Sequence, residues 1–190
     1  PLDPALSPAE NAQALFREYR RKQAAAEEIP PHLAEAEREL SYLQQLATDV
    51  DLAENRPQLE AVEHALIEAG YGPRMASLPR RASASAGEPL HLTAPDGTLI
   101  LVGRNSRQNH EITFRRAAPN DIWLHAHGVP GSHVIIKSAG APLAEETLQL
   151  AARLAALNSA ARQDSKVQVD FTERRHVRPI KDGHPGMVTY

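Results

Sequence analysis

Thirteen residues, Asp121-Ile-Trp-Leu-His-Ala-His-Gly-Val-Pro-Gly-Ser-His133, hold the only Trp of the chain and three of its nine His. An aromatic plane, imidazoles and a carboxylate around a Gly-Val-Pro-Gly bend are suited to stack on a base and to bond phosphate, ribose or base edges. Strand alternation places Asp121, Trp123, His125 and His127 on one face, and Ile122, Leu124 and Ala126 on the core face. A plainer reading stands beside this one: Trp123 half-buried, and the His satisfied locally. The same set has the types to ligate Zn²⁺ through His125, His127, His133 and Asp121. The chain has no Cys, and it lacks a His-Glu-x-x-His pattern. Ser132 beside His133 is sequence adjacency, not triad geometry. The expectation is therefore no catalytic residue, no metal and no cofactor.

Two further clusters carry donors. Val102-Gly103-Arg104-Asn105-Ser106-Arg107-Gln108-Asn109 leaves a strand and enters a helix. Gly103 permits close backbone approach, and Arg104 and Arg107 suit phosphate at a helix start. The competing reading is that Asn105 and Ser106 only cap the helix. The densest basic patch is Thr172-Glu-Arg174-Arg175-His176-Val-Arg178-Pro-Ile-Lys181. It suits a nucleic-acid backbone, or equally a solvated edge strand protected by charge.

The elements that must position these residues change character along the chain. Ser7-Pro8-Ala-Glu10 is a helix start, with Ala12, Leu15, Phe16, Tyr19 and Gln23 on one face to about Glu28. Pro30-Pro31 is expected to stop that helix. A second helix from His32 has Leu33, Leu40, Leu43, Ala47 and Val50 as a heptad stripe. A third runs from about Pro57 to Ala69 on Leu59, Val62 and Leu66, with Gly70 closing it. Residues 73–87 show no periodicity and three Arg, the pattern of a flexible linker. Short strands follow: 90–93 and 98–102 around Ala-Pro-Asp-Gly, 121–126 and 133–137 around Gly-Val-Pro-Gly, and short strands at 166–171, 176–179 and 187–190. Helices are expected at 107–116 and 144–163. The fold class is α+β: a coiled-coil-like helical segment at 1–72, a linker at 73–88, and a mixed domain of ββαββα with two or three more strands at 89–190.

Charge divides the same way. Residues 1–87 hold 9 Lys+Arg against 14 Asp+Glu, and residues 88–190 hold 12 against 10, with seven of the nine His. The second half is the part suited to a polyanion. Absence of Cys points to a reducing, cytoplasmic setting. No apolar run approaches the roughly 18 residues of a membrane span, and no signal peptide opens the chain. The Pro1 start suggests a piece of a longer protein.

Several blocks, in this order, resemble the NFACT family. Ser7-Pro-Ala-Glu-Asn-Ala-Gln with Phe16 and Tyr19, Glu39-Leu-Ser-Tyr-Leu43, and Ile67-Glu-Ala-Gly-Tyr71 are similar to its middle helical segment. Ile100–Asn109, Asp121–His127, Pro130–Ile136, Ala151–Ala156, Val169–Thr172 and Pro185-Gly-Met-Val resemble its RNA-binding NFACT-R domain. The resemblance implies a non-enzymatic factor of ribosome quality control. It would bind obstructed large ribosomal subunits through ribosomal RNA and tRNA, and support C-terminal alanine tailing of stalled chains. A missing N-terminal region of the same protein would be a further partner. The implied RNA-binding residues are Gly103, Asn105, Gln108, Asn109, Asp121, Trp123, His125, Gly131, Ser132 and His133. The cations Arg104, Arg107, Lys137, Arg174 and Arg175 join them. Two rivals are a fibronectin-binding surface adhesin, from the label some family members carry, and a metal-dependent nuclease.

Overall fold

A capping box starts the first helix: Ser7 donates to the Glu10 carboxylate, and Ser7 Oγ accepts from the Glu10 N–H at 3.3 Å. The computed structural model describes residues 2–72 and 87–190. The expected linker lies outside the described residues, apart from positions 87 and 88. Helix α1 spans Pro8–Asp51 and α2 spans Arg56–Glu68. The strands are β1 Leu90–Thr93, β2 Leu99–Val102, β3 Ile122–Ala126, β4 Val134–Ile136, β5 Val169–Glu173, β6 Arg178–Pro179 and β7 Val188–Thr189. Helix α3, Ser106–Glu111, lies between β2 and β3, and α4, Glu145–Leu157, lies between β4 and β5. The chain divides into two compact units, Pro1–Leu40 and Ser41–Tyr190.

The first unit corrects an expectation. Helix α1 continues without a break through Pro30 and Pro31. Each Pro withholds one backbone N–H, yet both sit among helix formers, Ala24-Ala-Ala-Glu-Glu28 before and Leu33-Ala-Glu-Ala-Glu37 after. All residues from 26 to 33 are exposed, so water satisfies the carbonyls left over. The stripe of Leu15, Phe16, Tyr19 and Leu33 is exposed as well. Asn11 fastens the entering turn: its Oδ1 accepts from Asp3 N at 2.8 Å, and its Nδ2 donates to Asp3 O at 2.9 Å.

In the second unit, the end of α1 buries Tyr42, Leu46 and Asp49, not the expected Leu40, Ala47 and Val50. Residues at this i, i+4, i+7 spacing lie one helical turn apart on the same side. Helix α2 packs Val62 and Ala65 against Tyr42 and Leu46, while Leu59 faces out. Asn55 caps α2, accepting from Gln58 N at 3.1 Å, and Gly70 adopts φ +88° just past its end.

Five strands form an antiparallel sheet in the order β1-β2-β4-β3-β5, and β6 pairs with β7 apart from it. The alternation of the central strands serves two cores. Ile100, Val102, Leu124, Val134 and Ile136 meet Ala151 and Ala155 of α4 on one side. Leu101, Ile135 and Trp123 lie in register across three strands on the other, against Ile112 and Val177. Both faces of β3 are therefore covered, and Trp123 is buried more deeply than the half-buried or base-stacking positions expected of it. The expected helix at 107–116 opens after Glu111 into a π-turn, Ile112–Arg116, closed by Ala117 N to Ile112 O at 2.9 Å. Helix α4 ends at Leu157, where Asn158 Nδ2 takes the Leu154 carbonyl at 2.8 Å.

Candidate nucleic-acid interface

The Gly-Arg-Asn-Ser-Arg-Gln-Asn segment builds a clamp. Asn105 Oδ1 caps α3 by accepting from Gln108 N at 2.9 Å. Gln108 Oε1 accepts from Arg104 N, and its Nε2 donates to Gly87 O, both at 2.9 Å. Asn109 grips the bend after β3: Oδ1 accepts from His133 N at 2.9 Å and Nδ2 donates to Gly131 O at 3.1 Å. Gly103 sits against that amide, where a Cβ would stand 2.3 Å from Asn109 Oδ1. Gly131 is also close to its neighbour, with a Cβ position 2.9 Å from Ser159 Cβ. Ser132 N donates to Asn158 O at 2.8 Å. Asn109, Gly131 and Ser132 thus hold the bend after β3, with Gly103 packed against Asn109, while Asn105 and Gln108 hold the start of α3 and the chain before it.

The end of α1 reaches the same loop. Gly131 N donates to Gln45 Oε1 at 2.9 Å, and Gln45 Nε2 donates to Asp49 Oδ1 at 2.8 Å. Burial pushes the Asp49 carboxyl up to about 6, against the lowering effect of hydrogen bonds from Gln45 and Ser106.

Trp123 is fully buried, so no base plane reaches its ring and the expected stacking is corrected. It packs among other rings: His125 at 5.7 Å, His133 at 5.2 Å and Tyr190 at 4.6 Å between centroids. Its Nε1–H is buried with no hydrogen-bond partner among the described residues. His133 is buried, with Nδ1 2.8 Å from Thr113 Oγ1, and desolvation holds it well below the usual imidazole range. Desolvation lowers His125 too; hydrogen bonds to the Gly131 and Ala126 backbone only partly offset it. Both rings are therefore neutral near pH 7. His127 is exposed and meets Asp170 Oδ2 at 2.7 Å, the atom that also accepts from Tyr190 Oη at 2.7 Å. The Tyr190 bond, first, and then the His127 bond hold the Asp170 carboxyl below its usual range. Burial and then Asp170 push the Tyr190 phenol up to about 12.

Asp121 works inside the sheet domain. It accepts from Ala118 N at 2.7 Å, Ala139 N at 3.1 Å and Lys137 Nζ at 2.5 Å. Asp121, His127 and His133 therefore serve separate partners. Among the described residues no group of three or more His, Cys, Asp or Glu is gathered to hold a metal ion.

The cations chosen from sequence are engaged within the chain. Arg104 pairs with Glu54 at 3.0 Å, Arg107 with Glu68, Arg175 with Glu173 and Lys137 with Asp121. Arg174 donates to Thr113 O at 2.7 Å and lies over the Phe114 ring. Arg178 and Lys181 differ: both are exposed, and no salt bridge within hydrogen-bonding reach joins them to a carboxylate among the described residues. They stood in the basic run, yet nothing in the sequence separated them from their paired neighbours.

A cavity of about 320 Å³ lies beside this cluster. Gln44 and Gln45 of α1, Val129 and Pro130 of the bend, and Met187 and Tyr190 of the C-terminal hairpin wall it, with His125 and His133. Gln44, Gln45, Met187 and Tyr190 were not among the residues expected from sequence. Helix periodicity marks Gln44 as surface, and the other three are placed by contacts far apart in the chain.

Comparison with known proteins matches residues 1–84 to the profile described as NFACT N-terminal and middle domains, and residues 89–188 to the NFACT protein RNA binding domain. Proteins named Rqc2 homolog RqcH from Bacillus subtilis (strain 168) and Streptococcus suis (strain 05ZYH33) are each 36% identical over the whole chain. The chain spans about a third of their length (33% and 34%). A solved structure, the C-terminal part of the fibronectin/fibrinogen-binding protein from Streptococcus suis, superposes with a TM-score of 0.83 at 34% identity. That match covers 97% of this chain and 73% of the other. With an RNA-binding-domain profile spanning more than half its length, the chain belongs to the NFACT family.

Proposed function

We propose that this chain is the RNA- and ribosome-binding part of a cytoplasmic ribosome quality-control factor. In this reading it binds obstructed large ribosomal subunits through ribosomal RNA and tRNA. It supports C-terminal alanine tailing of stalled chains together with an N-terminal region of the same protein, and performs no catalysis itself. Residues 1–72 form the helical segment, 73–88 the linker and 89–190 the RNA-binding domain. The observation that carries the reading is the match of residues 89–188 to an RNA-binding domain. The unpaired cations Arg178 and Lys181 support it, because phosphate contacts need charge that the chain has not already spent. Arg104 and Arg107 join them at small cost: an exposed ion pair is worth about 0–1 kcal/mol, so Glu54 and Glu68 compete weakly with a phosphate.

The test is co-sedimentation of the 190-residue chain with purified large subunits, with and without deacylated tRNA, at low and physiological salt. Binding that weakens steeply with salt is the expected result. Absence of binding to subunits and to tRNA at both salts overturns the reading. A second reading, fibronectin binding, is favoured by the name of the Streptococcus suis structure. Retention on immobilised fibronectin, with no subunit binding, would put that reading first.

A further inference from the structure

The cavity beside the ring cluster differs in kind from the charged surface around it. Among the described residues, none of those lining it is Lys, Arg, Asp or Glu. Its two imidazoles, His125 and His133, are neutral for a geometric reason, being shut in by the bend, the sheet and Trp123. A phosphate or a carboxylate would find no countercharge inside. What the walls do offer is apolar flat surface from Pro130, Met187 and Tyr190, together with amide and imidazole groups that bond neutral polar edges. The Gln44 side chain is exposed on the rim and carries both a donor pair and an acceptor. At about 320 Å³ the space is at the low end for small-molecule sites, roughly 300–1,000 Å³. It admits one planar heterocycle and excludes a helical segment of nucleic acid. Ile180 lines the cavity, and the cations Arg178 and Lys181 stand on either side of it in sequence, both exposed.

We infer that this cavity receives a single unstacked nucleobase from single-stranded RNA, the adjoining phosphates running past Arg178 and Lys181. The inference rests on the RNA-binding reading above and assigns a specific site to it. Gln44 and His125 read the edge of the base, and Tyr190 covers its face, as aromatic rings do in single-strand binders. Trp123 supports the site from behind by fixing the rings of His125, His133 and Tyr190.

The test uses the 190-residue chain and fluorescein-labelled nine-nucleotide oligouridine. One version is intact and one is abasic at all nine positions; both are followed by anisotropy. The intact strand is expected to bind about tenfold more tightly than the abasic strand. Gln44→Ala and Tyr190→Ala, each at an exposed position, should abolish that difference and leave the affinity for the abasic strand unchanged. Equal, salt-dependent binding of both strands, indifferent to both substitutions, would overturn the nucleobase site while leaving RNA binding intact. No binding of either strand would overturn the site together with the RNA reading.

Discussion

Asp49 Oδ2 accepts from both the backbone N–H and the hydroxyl of Ser106, each at 3.1 Å. One buried carboxylate thus ties the end of α1 to the start of α3, and burial raises it from an ordinary 3.8 to about 6. A carboxyl raised in the folded state binds its proton more tightly there than in the unfolded chain. Its contribution is full below pH 4 and is lost as pH rises through 6, a loss of up to about 3 kcal/mol. Asp49→Asn should remove this slope. Urea midpoints at pH 4, 5, 6 and 7 for both proteins check it, because their difference isolates Asp49 from every other titrating group. Parallel curves would contradict the assignment.

Gly103 is required by space, since its φ lies outside the left-handed region and a Cβ there would meet Asn109 Oδ1 at 2.3 Å and Asn109 N at 2.8 Å. Gly103→Ala should cost about 1–3 kcal/mol by overpacking. It should also loosen the bend that Asn109 holds through His133 N. Urea denaturation gives the cost, and faster amide exchange at His133 reports the loosened bend.

Trp123 is a core residue, so Trp123→Ala should lower stability by about 3–5 kcal/mol. Trp123→Phe retains most of the ring and discards the unpartnered Nε1–H. It should fold, cost less than the Ala variant, and keep RNA affinity within about twofold. A large loss of affinity in a well-folded Trp123→Phe protein would show that the indole itself meets RNA.

Arg178 and Lys181 should carry phosphate contacts. Replacing both with Ala is expected to reduce the slope of log affinity against log salt by roughly 1.5 for single-stranded RNA. Replacing Arg175, already paired with Glu173, should change it less. Titrations at four salt concentrations measure both slopes.

The hairpin of β1 and β2 was legible because Leu-His-Leu-Thr alternates and Ala-Pro-Asp-Gly turns. Gly97 there adopts φ +86°, and Ala94 N closes on Thr98 O at 2.8 Å. The capping box at Ser7 was legible for the same reason: all its partners lie within three residues. Burial of Trp123 was not, because alternation tells which residues share a face but not whether another layer covers that face. Here the π-turn and the segment around Val177 cover it. The pairing of Arg104 with Glu54 joins positions 50 residues apart, and no local pattern encodes such a meeting. The resemblance gave the family, and a profile match over residues 89–188 established it. The roles of the individual residues come from the geometry that surrounds them.

The passage of α1 through Pro30 and Pro31 has a mechanical side. Two consecutive prolines leave the carbonyls of Ala26 and Glu27 without their helical donors. The helical ladder skips two rungs there. With two hydrogen bonds fewer, this stretch of the first unit resists bending less than an unbroken ladder would, and its residues 26–33 are all exposed.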